Sequence, residues 1–115
     1  MSKVVNIRAS ELRKNCFKNF FHWNSSPQNV YIGRANPYIG APASIFANPY
    51  KIGDFDRKTV LEMYEKDIRN SPQLLKRIYS LKAKNLGYYC YPEACHGDIL
   101  IKILNEMVSY TIFSL

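Results

Sequence analysis

Cys95-His96-Gly97-Asp98 sets a thiol, an imidazole and a carboxylate within four consecutive residues of a 115-residue chain. Where such a run opens a helix, unpaired backbone N–H groups and the helix dipole favour negative charge. That setting lowers a thiol pKa, and it also makes a seat for a phosphate. His96 then offers a proton shuttle or a cationic anchor. Cys95, His96 and Asp98 are the candidate catalytic residues, and the amides after Gly97 are the candidate anion seat. Asp98 also has a plainer reading, as the cap of the helix with Gly97 easing the turn into it.

A second group lies in the middle of the chain. Asn48-Pro49-Tyr50 presents an amide on backbone that proline holds out of the helical region, so the Asn side chain either orders the loop or reaches a ligand. Arg34 and Arg57 flank this loop and are suited to gripping an anion through two parallel hydrogen bonds. Tyr50 or Tyr89 would stack on a base. Cys90 completes the candidate ligand-binding set of Arg34, Asn48, Tyr50, Arg57, Cys90 and Gly97. A zinc site built on Cys90, Cys95 and His96, with Cys16 or His22 as fourth ligand, is the competing reading. It suffers from the adjacency of Cys95 and His96 and from the lack of a Cys-x-x-Cys pair, so no metal is expected. The glycine-rich dinucleotide fingerprint, the phosphate-binding P-loop and the Gly-x-Ser-x-Gly elbow are all missing, and the cofactor is left unknown.

The elements that must position these residues follow from local patterns. Val4–Ile7 reads as a strand, Ser10 as the N-cap of a short helix over 11–17, and Val30–Ile32 as a second strand. Residues 33–56, with Pro37, Pro42, Pro49, Gly33, Gly40 and Gly53, read as one long, packed loop. Asp56 predicts a helix cap for Arg57–Arg69, and Ser71-Pro72 opens another helix with proline at its first position. Leu86–Tyr91 reads as an aromatic-rich strand. Ile99, Leu100, Ile103, Leu104, Met107 and Val108 mark a final helix, and Tyr110–Leu115 a last short strand. Strands separated by helices imply a single-domain α/β fold with a small, mainly parallel sheet flanked by helices. Ligands bind such sheets beyond the carboxyl ends of the strands. Both chemically dense segments follow a strand at that edge, so they are expected to form one pocket.

Charge narrows the partner. The formal net charge is +7 from 16 basic and 9 acidic residues. Lys3, Arg8, Arg13, Lys14, Lys18 and Arg34 face only Glu11 within the first 34 residues, a net +5, against +2 for the remainder. Such a balance favours an anionic partner: a nucleotide-like small molecule first, nucleic acid second. Phe17, Phe20, Phe21 and Trp23, interleaved with the basic residues, would supply stacking surfaces for a strand of nucleic acid, or else form core or a homodimer interface. No stretch reaches the roughly 18 apolar residues of a membrane helix, so no membrane partner is expected. Three cysteines without a leader-like N-terminus imply reduced thiols and a cytoplasmic protein.

Val30-Tyr31-Ile32-Gly33-Arg34, Phe46-Ala47-Asn48-Pro49-Tyr50-Lys51-Ile52-Gly53, Arg57, Tyr64 and Cys90-x-Pro92-x-x-Cys95-His96-Gly97-Asp98, taken in order, resemble a family of uncharacterised small proteins. That family is a domain of unknown function found in phages, other viruses and bacteria. It shares an Asn-Pro-aromatic loop, a following Arg, and a strand leading into Cys-His-Gly-Asp. The resemblance covers roughly residues 30–105, leaving 1–29 as an N-terminal extension atypical of the family and 106–115 as a tail within one domain. Two departures stand out: Tyr88-Tyr89-Cys90 replaces the family's frequent Cys-aromatic-Cys, and Leu81-Lys82-Ala83-Lys84 replaces its frequent Leu-x-Gly-Lys. The resemblance implies a shared site and no particular activity.

Overall fold

The computed structural model describes residues 2–51, 53–89 and 95–114, with side chains as far as Val108. Three strands form the sheet: β1 (Lys3–Asn6), β2 (Asn29–Tyr31) and β3 (Asn85–Tyr88). Their order is β1-β3-β2, and both pairings are parallel. The register sets Val4, Leu86 and Val30 in one row and Val5, Gly87 and Tyr31 in the next. Because side chains alternate along a strand, these rows face opposite sides of the sheet.

The first row meets the larger core. Helices α3 (Arg57–Arg69), α4 (Pro72–Ile78) and α5 (His96–Ser114) bring Tyr64, Ile68, Ile78, Leu100, Ile103 and Leu104 onto Ile32 and Leu86. Each fully buried aliphatic side chain of this kind contributes about 1.5–3 kcal/mol. The caps foreseen for two helices are in place: Asp56 accepts from Thr59 N–H at 2.7 Å, and Ser71 from Leu74 N–H at 3.3 Å. Ion pairs of Glu65 with Arg69 and Lys102, and of Arg69 with Glu106, join α3 to α5 on the surface.

The second row meets a smaller core on the opposite face, built by α1 (Ala9–Lys14), α2 (Phe20–Asn24) and part of the long loop. Gly87 makes this packing possible, because a Cβ there would collide with the Trp23 ring and come within 2.8 Å of Ile7 Cγ2.

Several sequence expectations are corrected. The first helix begins at Ala9, with Arg8 rather than Ser10 in the capping position and no side-chain cap. Helix α2 had no counterpart in the sequence reading. Its Phe20 and Trp23 are buried in the smaller core, the alternative given for these rings in the sequence, so neither is available to stack on a nucleic acid. The expected last strand from Tyr110 is instead the end of α5, since an established helix extends at one hydrogen bond per added residue, and it runs to Ser114. Cys90 and Tyr91, the expected end of the third strand, lie outside the described residues. Among the described residues no helix is long and apolar enough to cross a membrane.

Candidate functional site

The loop after β2 turns back over the carboxyl end of the sheet and is clasped there by Arg34. Its Nε donates to the Asn48 carbonyl and its Nη2 to the Tyr50 carbonyl, each at 2.8 Å. Asn48 orders the same turn, its Oδ1 accepting from Tyr50 N–H at 3.0 Å. Proline at 49 keeps Asn48 extended, which lets its side chain close this short ring. Tyr64, buried on α3, donates from its hydroxyl to the Phe46 carbonyl at 2.6 Å. Burial pushes the Tyr64 hydroxyl pKa far up, with the neighbouring Cys95 adding to the effect. The Tyr50 hydroxyl donates to Asp67, and that hydrogen bond is the main reason its pKa is raised.

The helix start stands against this loop. Cys95 immediately precedes α5, and its N–H donates to Asp98 Oδ2 at 3.0 Å, while Asp98 N–H returns to the Cys95 carbonyl at 3.0 Å. Asp98 thus sits one turn inside the helix and caps it by reaching back, as the acidic member of a capping box does. Its carboxylate supplies the negative charge that the helix terminus favours, which shifts the work of holding an external anion to other groups. Gly97 lets the terminus approach the sheet, for a Cβ would come within 2.7 Å of Val4 Cγ2 and 3.0 Å of Ile32 Cδ1.

His96 is 2% exposed, with Nε2 2.7 Å from the Ile32 carbonyl and its ring edge-on to Tyr88 at 4.5 Å and Tyr64 at 5.2 Å. Burial holds its pKa below the ordinary 6.5; the Arg34 charge acts the same way, and the Ile32 hydrogen bond and Asp98 oppose it. A carbonyl only accepts, so Nε2 carries the hydrogen. In the neutral ring, Nδ1 is then a lone-pair acceptor. In the unliganded fold His96 is thus a neutral imidazole with Nε2 as its donor.

These groups enclose a cavity of about 240 Å³. Arg34, Asn48, Tyr50, Arg57, Cys95 and His96 all line it, so the loop and the helix start do meet in one pocket. Asp98 and Gly97 serve the helix terminus behind it, and Cys90 lies outside the described residues. Lys51, Val60, Leu61 and Tyr88 also line the cavity and were not foreseen. Tyr88 could have been found from the pleat, since it lies two residues beyond Leu86 on the same face. Three cationic side chains therefore border the pocket, and no carboxylate stands among its described lining residues. Asn48 is 7% exposed, lines the cavity, and has its Oδ1 used within the loop. The pocket thus combines cationic side chains with the Asn48 amide and the His96 imidazole. Among the described residues, no group of three His, Cys, Asp or Glu side chains is placed to hold a metal ion.

Compared with curated proteins and with solved structures, the chain finds no match. The family model described as "Domain of unknown function (DUF4326)" matches residues 16–106, which takes in the whole of this pocket. The chain belongs to that family, the domain of unknown function DUF4326.

Proposed function

We propose that the protein binds a small phosphorylated ligand, a nucleotide or a nucleotide-derived sugar phosphate, in the pocket between the Asn48 loop and the start of α5. The observation that carries this reading is the charge of the cavity: Arg34, Lys51 and Arg57 line it with no carboxylate among the described lining residues. Arg34 spends two donors on neutral carbonyls, which fixes its guanidinium without cancelling its charge. Cations held in this way attract a phosphate more strongly in a partly desolvated pocket than in open water. Asn48 Nδ2 donates to a ligand oxygen, and His96 Nδ1 accepts from a ligand hydroxyl or N–H. The cavity is smaller than the roughly 300–1,000 Å³ of pockets that engulf drug-sized ligands. It suits the phosphate-and-sugar part, with a base reaching the rim beside Tyr50.

If the bound ligand is transformed, His96 is the member of the Cys95, His96 and Asp98 set suited to take up a proton, because its ring is neutral and its free nitrogen is an acceptor. Asp98 positions the helix that carries it. Thermal unfolding with AMP and ribose 5-phosphate tests the binding. A ligand at a hundred times its Kd stabilises the fold by about 2.7 kcal/mol, and His96→Gln and Asn48→Ala should each remove the rise in Tm. No rise with any phosphorylated compound, or a rise that survives both substitutions, would contradict the proposal.

A further inference from the structure

On the face of the sheet opposite the pocket lies a groove of about 350 Å³ whose rims are aromatic and basic. Tyr38 and Phe21 stand at its edges, 97% and 80% exposed, and Tyr89 and Ile39 also line it. The exposure of Phe21 is selective, since its helix neighbours Phe20 and Trp23 are 5% and 3% exposed. Both rings sit on ordered backbone. Tyr38 belongs to a turn closed by two backbone hydrogen bonds between Asn36 and Ala41, at 2.8 and 3.0 Å. That turn is tied to the sheet by Asn36 Nδ2 donating to the Tyr89 hydroxyl at 3.1 Å. Phe21 rides on α2, which Asn19 caps at 2.9 Å, and the preceding Lys18 N–H is fixed to His22 Nδ1 at 3.0 Å.

Arg13 and Lys18 also line the groove, with no carboxylate among its described lining residues. Glu11, the single acid of the first 34 residues, pairs with Lys14 at 3.3 Å instead. We propose that this groove binds single-stranded nucleic acid, with bases stacking on Phe21 and Tyr38 and phosphates meeting Arg13 and Lys18. Accessible rings beside cations, with no carboxylate among the described lining residues, match a polyanion with exposed π faces. A duplex hides those faces between its stacked pairs. A second copy of the chain meeting this face across a two-fold axis would bring Arg13 and Lys18 close to their own equivalents, a like-charge contact that opposes pairing.

The site is separate from the phosphate pocket and is read by its own probes. Fluorescence anisotropy with labelled dT12 and U12 should show binding, with affinity falling steeply as salt rises. Phe21→Ala and Tyr38→Ala should each weaken it by about tenfold or more, with circular dichroism and Tm unchanged because neither ring is packed. Arg13→Gln with Lys18→Gln should flatten the salt dependence. A duplex of the same length should bind more weakly and be insensitive to loss of the rings. The proposal fails if dT12 and U12 do not bind, or if their binding is untouched by both ring substitutions. It also fails if the substitutions abolish self-association or attachment to phosphatidylserine vesicles and leave oligonucleotide affinity as it was.

Discussion

At the scale of single residues, the site is defined by what buried polar atoms are forced to do. His96 gives its one neutral-state proton to the Ile32 carbonyl and keeps a lone pair. This has a consequence for stability. The folded protein holds the ring pKa below 6.5, so as pH falls through 6.5 the unfolded chain takes up a proton first. Stability is therefore fully present above about pH 6.5 and declines below it, with a slope of at most about 1.4 kcal/mol per pH unit. Urea unfolding at a series of pH values should show this decline, and His96→Gln should flatten it; equal slopes in the two proteins would show that another group is responsible. Tyr64 makes a second residue-scale case. Tyr64→Phe strips the donor from the Phe46 carbonyl and should cost about 1–3 kcal/mol in denaturant unfolding, with little change of shape.

At the scale of elements, the pocket depends on how α5 enters the sheet. Asp98→Ala removes the partner of the Cys95 N–H, and loss of such a cap costs about 1 kcal/mol. Gly97→Ala should cost more, roughly 1–3 kcal/mol, because the new methyl meets Val4 and Ile32 side chains across the sheet. Thermal melts of the two variants order these effects, and a Gly97→Ala protein as stable as the parent would refute the close approach. The elements that were legible in advance are those with local, chemically distinct ends. Asp56 before α3 and the Ser71-Pro72 pair before α4 announce themselves through hydrogen-bond chemistry within one turn. Helix α2 was hidden because Phe20–Asn24 is a little over one turn, too short to display a period. Tyr110–Leu115 misled because a short run of aromatic and β-branched residues fits a strand as well as the end of a helix. The pocket itself was legible because a parallel sheet gathers its loops at one edge; which residue of each loop faces inward was not. Hence Lys51 was missed, and Asp98, for which a reactive and a capping reading both stood, holds the Cys95 N–H. The same limit applies to Phe20, Phe21 and Trp23, whose inward or outward orientation depends on the placement of α2 against Gly87.

At the scale of the whole molecule, a three-stranded parallel sheet with a core on each face presents two concave surfaces with cationic side chains among their lining residues, one on either side of the end of β3. Tyr88 lines the pocket on one face and Tyr89 the groove on the other. The net charge of +7 has its local expression in these two places, where cations gather with no carboxylate among the described lining residues. Small-molecule binding in the pocket is the central claim, and an AMP titration followed by ¹H–¹⁵N correlation spectra tests it most directly. Saturable shifts should gather at the Asn48 side-chain amide and at the backbone amides of Tyr50, His96 and Gly97. Shifts confined to Arg13, Lys18 and Phe21, or no saturable shift at all, would contradict it.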